Sequence, residues 1–244
     1  MWNNLVQTYS KCALTRSEDK LVALSGLACL FQDMTGDEYL ARLWKSRLSE
    51  FLDWRVYEPA RKLSSDYRAP SCSWASLDGP VRPSGISACD AQLIVIKEVQ
   101  ITHSTFDSTG QVFSGFITVE GLLVQATYHG TGKRGVTCQL KTVAGDISAT
   151  MWEDALGTNF DGGMEIHCLA LKCNPVYPRK SRHGFHLVGL LLKPVPGPSR
   201  DYTRIGHFVI YGNDDIEKFG ISVNEEEGSM AQVKPDQLSI VKIL

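Results

Sequence analysis

The chain has 244 residues, 43% of them hydrophobic and 21% charged, which is enough apolar material for one large or two small domains. Its 25 Lys and Arg against 27 Asp and Glu give a formal net charge of −2, so no global basic field draws it to nucleic acid or to an anionic membrane. No basic stretch leads into an apolar one near Met1, and no run approaches the ~18 apolar residues of a membrane span, so a cytoplasmic protein is expected.

Ser17, Glu18 and Asp19 place a capping side chain and two acids before Leu21, Leu24, Leu27, Ala28 and Phe31, which recur at helical spacing. The spacing predicts a helix from about 18 to 32, broken at Thr35-Gly36. From Asp37, Leu40, Leu43, Trp44, Leu48, Phe51 and Leu52 share one broad helical face and predict a second helix, making a helical hairpin. Between Pro59 and Pro83 the periodicity stops, and a connector is expected.

From Ala91 the chain turns to β-branched, alternating runs at 93–102, 113–128, 164–173 and 185–193, with shorter ones at 136–143, 147–152, 205–211 and 238–243. Gly130 to Gly135, Gly162-Gly163 and Pro194 to Pro198 punctuate them as hairpins and meanders would. The predicted class is α+β, with a helical segment over 1–80 packed on a mainly antiparallel sandwich or barrel over 85–244. The Gly130–Gly135 stretch lies between two strand-like runs and predicts a hairpin tip rather than a phosphate loop, and Glu225 to Glu227 predicts a solvated loop.

In the first third of the chain, Trp2, Leu5-Val6 and Tyr9-Ser10 are followed by Leu14-Thr15, Asp19-Lys20-Leu21, Ala23-Leu24-Ser25-Gly26 and Tyr39-Leu40-Ala41 with Leu43-Trp44. Leu52-Asp53-Trp54 and the segment Tyr67-Arg68-Ala69-Pro70-Ser71-Cys72-Ser73-Trp74-Ala75-Ser76 complete the order. Together these resemble the closing segment of fungal heterokaryon-incompatibility (HET) domain proteins, with Cys72 where the family usually has Trp; beyond residue 90 the likeness is mainly Tyr202-Thr203-Arg204-Ile205-Gly206. The family's upstream signature block has no counterpart here. The resemblance therefore implies a fragment, a dominant partner or a protein put to another use, with Trp74 as a buried anchor.

No nucleophile elbow, zinc signature, phosphate loop or dinucleotide fingerprint is present. The 7 cysteines lack CxxC spacing and are expected as reduced thiols, and no HxH or HxxxH spacing gathers the histidines for a metal. On the strand at 164–171, alternation puts Glu165, His167, Leu169 and Leu171 on one face and Ile166, Cys168 and Ala170 on the other. Tyr128 shares a face with Leu122, Val124 and Ala126, and His186 with Val188, Leu190 and Leu192. Each is a polar tip on an apolar strand, ordinary at a solvated strand end but also the kind of group that orients a ligand at a barrel mouth.

The candidate catalytic residues are accordingly His167, Tyr128 and His186. Glu165, beside His167 on its strand face, and the strand-edge residues Trp152, His103 and Tyr202 are the candidate ligand-binding residues. No cofactor is expected. The absence of motifs, with the fungal family that the chain resembles, implies a cofactor-independent protein handling an apolar small molecule in fungal secondary metabolism, with [4+2] cyclisation of a polyene as one chemistry that shape and hydrogen bonds alone can promote. The alternative is a HET-related interaction protein of self/non-self recognition and programmed cell death, partnering a HET-family protein or a second copy of itself.

Overall fold

The alternating runs after Ala91 form the strands of one large sheet in a computed structural model that describes residues 2–12, 22–56, 58, 67–84, 91–130, 135, 137–156, 160, 162–175, 184–224 and 230–244. Before the sheet comes an N-terminal part that ends at Ser84. It holds helices α1 (Trp2–Tyr9) and α2 (Ser25–Thr35), a hairpin of β1 (Tyr39–Leu40) and β2 (Leu43–Trp44), one helical turn α3 (Leu48–Phe51), and the antiparallel pair β3 (Trp54–Val56) and β4 (Val81–Pro83). The sheet contains β5 (Ala91–Gln92), β6 (Ile94–His103), β7 (Val112–His129), β8 (Thr137–Thr142), β9 (Gly145–Glu153), β10 (Glu165–Pro175), β11 (Phe185–Pro194) and β12 (Asp201–Tyr211). Then follow α4 (Asn213–Phe219), a separate hairpin of β13 (Ile221–Asn224) and β14 (Met230–Val233), and β15 (Leu238–Ile243), which rejoins the sheet.

The 18-residue β7 closes the sheet on itself. Its first part pairs with β6 and β15, its last part with β10 and β8, so β7, β8, β9, β12, β11 and β10 form a ring with no free edge among them. Closure removes the exposed ladder groups that an open sheet leaves. All these pairings are antiparallel except that of β12 with β15.

Strand alternation divides the apolar residues between two cores. Ile166, Cys168 and Ala170 of β10, Leu187 and Leu191 of β11, and Phe208 and Ile210 of β12 pack inside the barrel and under α4. Leu169 and Leu171, with Leu190 and Leu192, face outward and pack against the N-terminal part. The alternation expected for β10, for Tyr128 and for His186 is thus the observed one.

The N-terminal part departs from the expected helical hairpin. α2 ends as predicted near Gly36, whose left-handed φ of 67° suits glycine, but it spans 25–35; the predicted start at 18 lies outside the described residues. Its outward face exposes Leu27, Leu30 and Met34, so Leu27 is not a core residue. The helix expected from Asp37 is replaced by β1, β2 and α3. Asp37 accepts from the Glu38 and Ser46 backbone amides, while Ala41 and Arg42 turn the chain at positive φ, as a two-residue hairpin requires. The turn is gripped from outside, since Ser73 Oγ donates to Ala41 O at 2.6 Å and Trp74 Nε1 to Arg42 O at 3.3 Å. Helical spacing still put the right residues in the core, because Leu40, Leu43, Trp44, Leu48 and Leu52 are all buried. Trp74 is the buried anchor that was expected. The unanticipated α1 buries Trp2, whose ring meets Phe31, Tyr39 and Trp44 edge-on at 5.3, 5.9 and 5.1 Å.

Arg204 of β12 joins the two parts. Its Nε donates to Asp154 at 2.8 Å, Nη1 donates to Leu52 O at 3.0 Å, Nη2 donates to Trp54 O, and its guanidinium carbon lies 3.3 Å from the centre of the Trp54 ring. No helix among the described residues is long and apolar enough to cross a membrane. The expected hairpin tip at 131–134 and the acidic loop at 225–227 lie outside the described residues.

Candidate functional site

Two β-bulges build the site. In an unbroken β10, Lys172 would share parity with Cys168 and Ala170 and enter the barrel. The register against β11 instead jumps from Ala170↔Gly189 to Lys172↔Val188, so Leu171 is the extra residue and Lys172 emerges on the outer face. On β12 the jump from Leu191↔Gly206 to Leu192↔Arg204 makes Ile205 the extra residue, which leaves Arg204 on the same outer face as His207, Val209 and Tyr211.

That face floors a cavity of about 460 Å³, within the usual range for small-molecule sites. Lys172 and Asn174 of β10, His186 and Val188 of β11, and His207, Val209 and Tyr211 of β12 make the floor. Gln7 of α1, Asp53 and Arg55 at β3, and Arg82, Pro83 and Ser84 at β4 make the roof.

Asp53 is the centre of the polar network. Its Oδ1 accepts from Ser84 Oγ at 2.9 Å and lies 2.9 Å from His207 Nε2, while Lys172 Nζ stands 2.8 Å from Oδ2. All three side chains of the Lys172–Asp53–His207 set are buried. Burial pushes the Asp53 carboxyl up, but the hydrogen bond from His207 and the charge and hydrogen bond of Lys172 outweigh it and hold Asp53 well below the usual carboxylate range. Burial drives His207 below its ordinary value, against the opposing Asp53 hydrogen bond, with Arg204 and Arg55 adding to the downward shift.

The protonation pattern follows. An ionised Asp53 only accepts, so the facing Nε2 of a neutral His207 carries the proton. Nδ1 is then an unprotonated nitrogen, and among the described residues this buried atom has no hydrogen-bond partner. A neutral imidazole oriented by a carboxylate, with its other nitrogen unsatisfied, is equipped to accept a proton from a bound molecule.

Among the described residues the walls carry Arg55, Arg82 and Lys172, with Asp53 as the carboxylate. Arg55 lies over the Trp152 ring at 4.5 Å, and Trp152 meets the His207 ring at 5.8 Å. The cavity favours an anionic occupant.

Of the residues singled out from sequence, His186 lines this cavity, with Nε2 3.2 Å from Asn174 Nδ2 and its ring 6.1 Å from that of Tyr211. Trp152 stands one layer behind, through its contacts with His207 and Arg55. His167 and Tyr202 meet each other at 5.2 Å, with exposed Glu165 on the same strand as His167, but none of the three lines the cavity. Burial lowers the affinity of His167 for its proton, against the charge of Glu165. Tyr128 packs in the barrel interior, its ring 5.5 Å from Phe160, and His103 ends β6; neither lines the cavity.

Asp53, Lys172, His207, Arg55 and Arg82 were not among those residues. The available signal was the isolated charge in an apolar run, as Lys172 in LALKC or His207 in IGHFVI: a strand that buries its neighbours buries that group too, and a buried charge needs a partner.

Among the described residues no group of three or more His, Cys, Asp or Glu is placed to hold a metal ion. Cys12, Cys29, Cys72, Cys138, Cys168 and Cys173 are free thiols. Burial pushes Cys72 and Cys173 up to about 12 and Cys138 to about 11, which keeps them protonated and unreactive. A scan of family models finds none that matches the chain, and searches of curated proteins and solved structures find no similar chain.

Proposed function

We propose that the chain is a cofactor-independent small-molecule-handling protein that holds an anionic organic molecule between its N-terminal part and the barrel and moves a proton on it through His207. The observation that carries this reading is His207 in the floor of a cavity walled by Arg55, Arg82 and Lys172, with its Nδ1 left without a hydrogen-bond partner among the described residues. Asp53 fixes the tautomer and orientation of the ring, Lys172 and Ser84 fix Asp53, and the cations hold and polarise the ligand. Proton abstraction next to a carbonyl or carboxylate, as in an isomerisation or a stepwise cyclisation, is the reaction class that this set serves.

The ligand chemistry shifts from the apolar polyene expected from sequence. The apolar recess between Leu40, Leu48, Val99 and Ile117 has only about 10 Å³, room for one water, whereas the large cavity is walled by charged groups. The test uses a metabolite extract in deuterated water with the purified chain. Deuterium entering carbon positions of one or a few metabolites, and absent with His207→Gln, is the expected result; no labelling or consumption by the unsubstituted chain overturns the reading.

A second reading, the HET-related interaction protein of self/non-self recognition and programmed cell death, draws on the resemblance of residues 1–80 and on one structural feature. Leu27, Leu30 and Met34 recur at helical spacing on α2 and are exposed. Binding of the chain to a full-length HET protein, abolished by Leu30→Glu, supports this reading; deuterium labelling without any such binding removes it.

A further inference from the structure

The two roof strands put like charges side by side. Arg55 of β3 and Arg82 of β4 are direct partners in the antiparallel ladder, and both line the cavity. Directly opposed residues on one face have Cβ atoms roughly 5 Å apart, and like charges there repel. Among the described residues neither arginine has a carboxylate partner. The acid among the described residues of the cavity wall, Asp53, is already held by Lys172, His207 and Ser84. Two arginines at directly opposed positions thus line one cavity wall without a compensating carboxylate among the described residues.

Arg55 is also held in place: its guanidinium lies over the Trp152 ring at 4.5 Å, and stacking of this kind fixes the plane of the fork before any ligand arrives. The group that compensates both charges is a dianion with several acceptor oxygens, and planar guanidinium forks match tetrahedral phosphate oxygens in pairs. A monocarboxylate neutralises only one of them.

We infer that Arg55 and Arg82 form a subsite for the phosphate group of a small-molecule phosphate monoester, whose organic part occupies the space over Val188, Val209 and Tyr211. This rests on the reading of the cavity as an anion site and names its substrate class. The volume of about 460 Å³ suits a small molecule, and the phosphate stays intact, so no bond to phosphorus is made or broken.

Calorimetric titration of the full chain with phenyl phosphate and with benzoate tests the inference. Phenyl phosphate binds at least about tenfold more tightly than benzoate, loses about tenfold with Arg82→Ala, and weakens below about pH 6 as the phosphate takes up its second proton. Arg82 is exposed, so Arg82→Ala leaves the fold intact; Arg55→Lys, which keeps one charge but not the stacked fork, loses affinity in the same direction. Equal affinities for the two compounds, or phosphate binding unchanged in Arg82→Ala, overturn the phosphate subsite. Benzoate binding would still support the anion site in that case, whereas failure of both compounds together with absent deuterium labelling would overturn the two readings at once. Retention of the chain on phosphatidic acid vesicles, with no binding of phenyl phosphate, overturns the small-molecule assignment.

Discussion

Lys172 Nζ stands 2.8 Å from Asp53 Oδ2 only because Leu171 is an extra residue in β10. With Lys172 5% and Asp53 2% exposed, the pair is out of solvent, and removing one partner leaves the other charge buried alone. Lys172→Met is expected to cost about 3 kcal/mol of stability. Urea denaturation of the single variant and of Lys172→Met combined with Asp53→Asn checks it, the double variant losing less than the sum of the singles.

Arg204 is predicted to be the main polar tie between the N-terminal part and the barrel. Arg204→Lys keeps the charge but cannot reach Asp154, Leu52 O and Trp54 O together, and it gives up the stacking on Trp54. A loss of about 3 kcal/mol is expected, because buried acceptors are left without donors. Hydrogen exchange checks it: protection falls in β3 and β4 before it falls in the barrel strands.

Stability is predicted to decline as the pH drops below about 6.5, the ordinary value for histidine. His207 has its folded affinity for protons lowered, so the unfolded chain takes up the proton first and folding weakens from the unfolded value down to the folded one. Asp53, also lowered, adds a loss of the same sign that begins near its unfolded value of about 4 and continues below it. His207→Gln, which still donates to Asp53, removes part of the slope between pH 5 and 6.5; His167, whose shift has the same direction, contributes to the part that remains. Thermal denaturation across pH 4 to 8 checks this.

Gly189→Ala is predicted to be among the most damaging small substitutions. A Cβ there would lie 2.4 Å from the Phe208 ring and 2.3 Å from Leu169 O, and neither the backbone nor the packed ring has room to retreat. A loss of about 3 kcal/mol is expected from overpacking, read by chemical denaturation.

The barrel was legible in the sequence as apolar, β-branched runs bounded by turn residues. β7, β10, β11 and β15 fall within one or two residues of the runs that predict them, although β10 and β11 are buried on both faces and so alternate little in polarity. The N-terminal part was less legible, because Leu40, Leu43, Trp44 and Leu48 fit a helical face as well as they fit a hairpin and a turn. What decides between these is Ser73 and Trp74 gripping the carbonyls of Ala41 and Arg42 from 32 residues away, a tertiary contact that no local period records. The site was hidden for a related reason. Alternation assigns Lys172 to the barrel interior, and only the bulge at Leu171 brings it out to Asp53, a partner from the far end of the chain. His186 was found because no irregularity separates it from the apolar face it shares with Val188, Leu190 and Leu192.

The measurement that bears most directly on the account is nitrogen-15 NMR of the His207 ring at neutral pH. A neutral imidazole is expected, with the proton on Nε2 toward Asp53 and an unprotonated Nδ1 whose signal moves when an anionic ligand fills the cavity. An imidazolium ring, which has no lone pair, or a proton resident on Nδ1, which leaves the one lone pair on Nε2 facing Asp53, would contradict it.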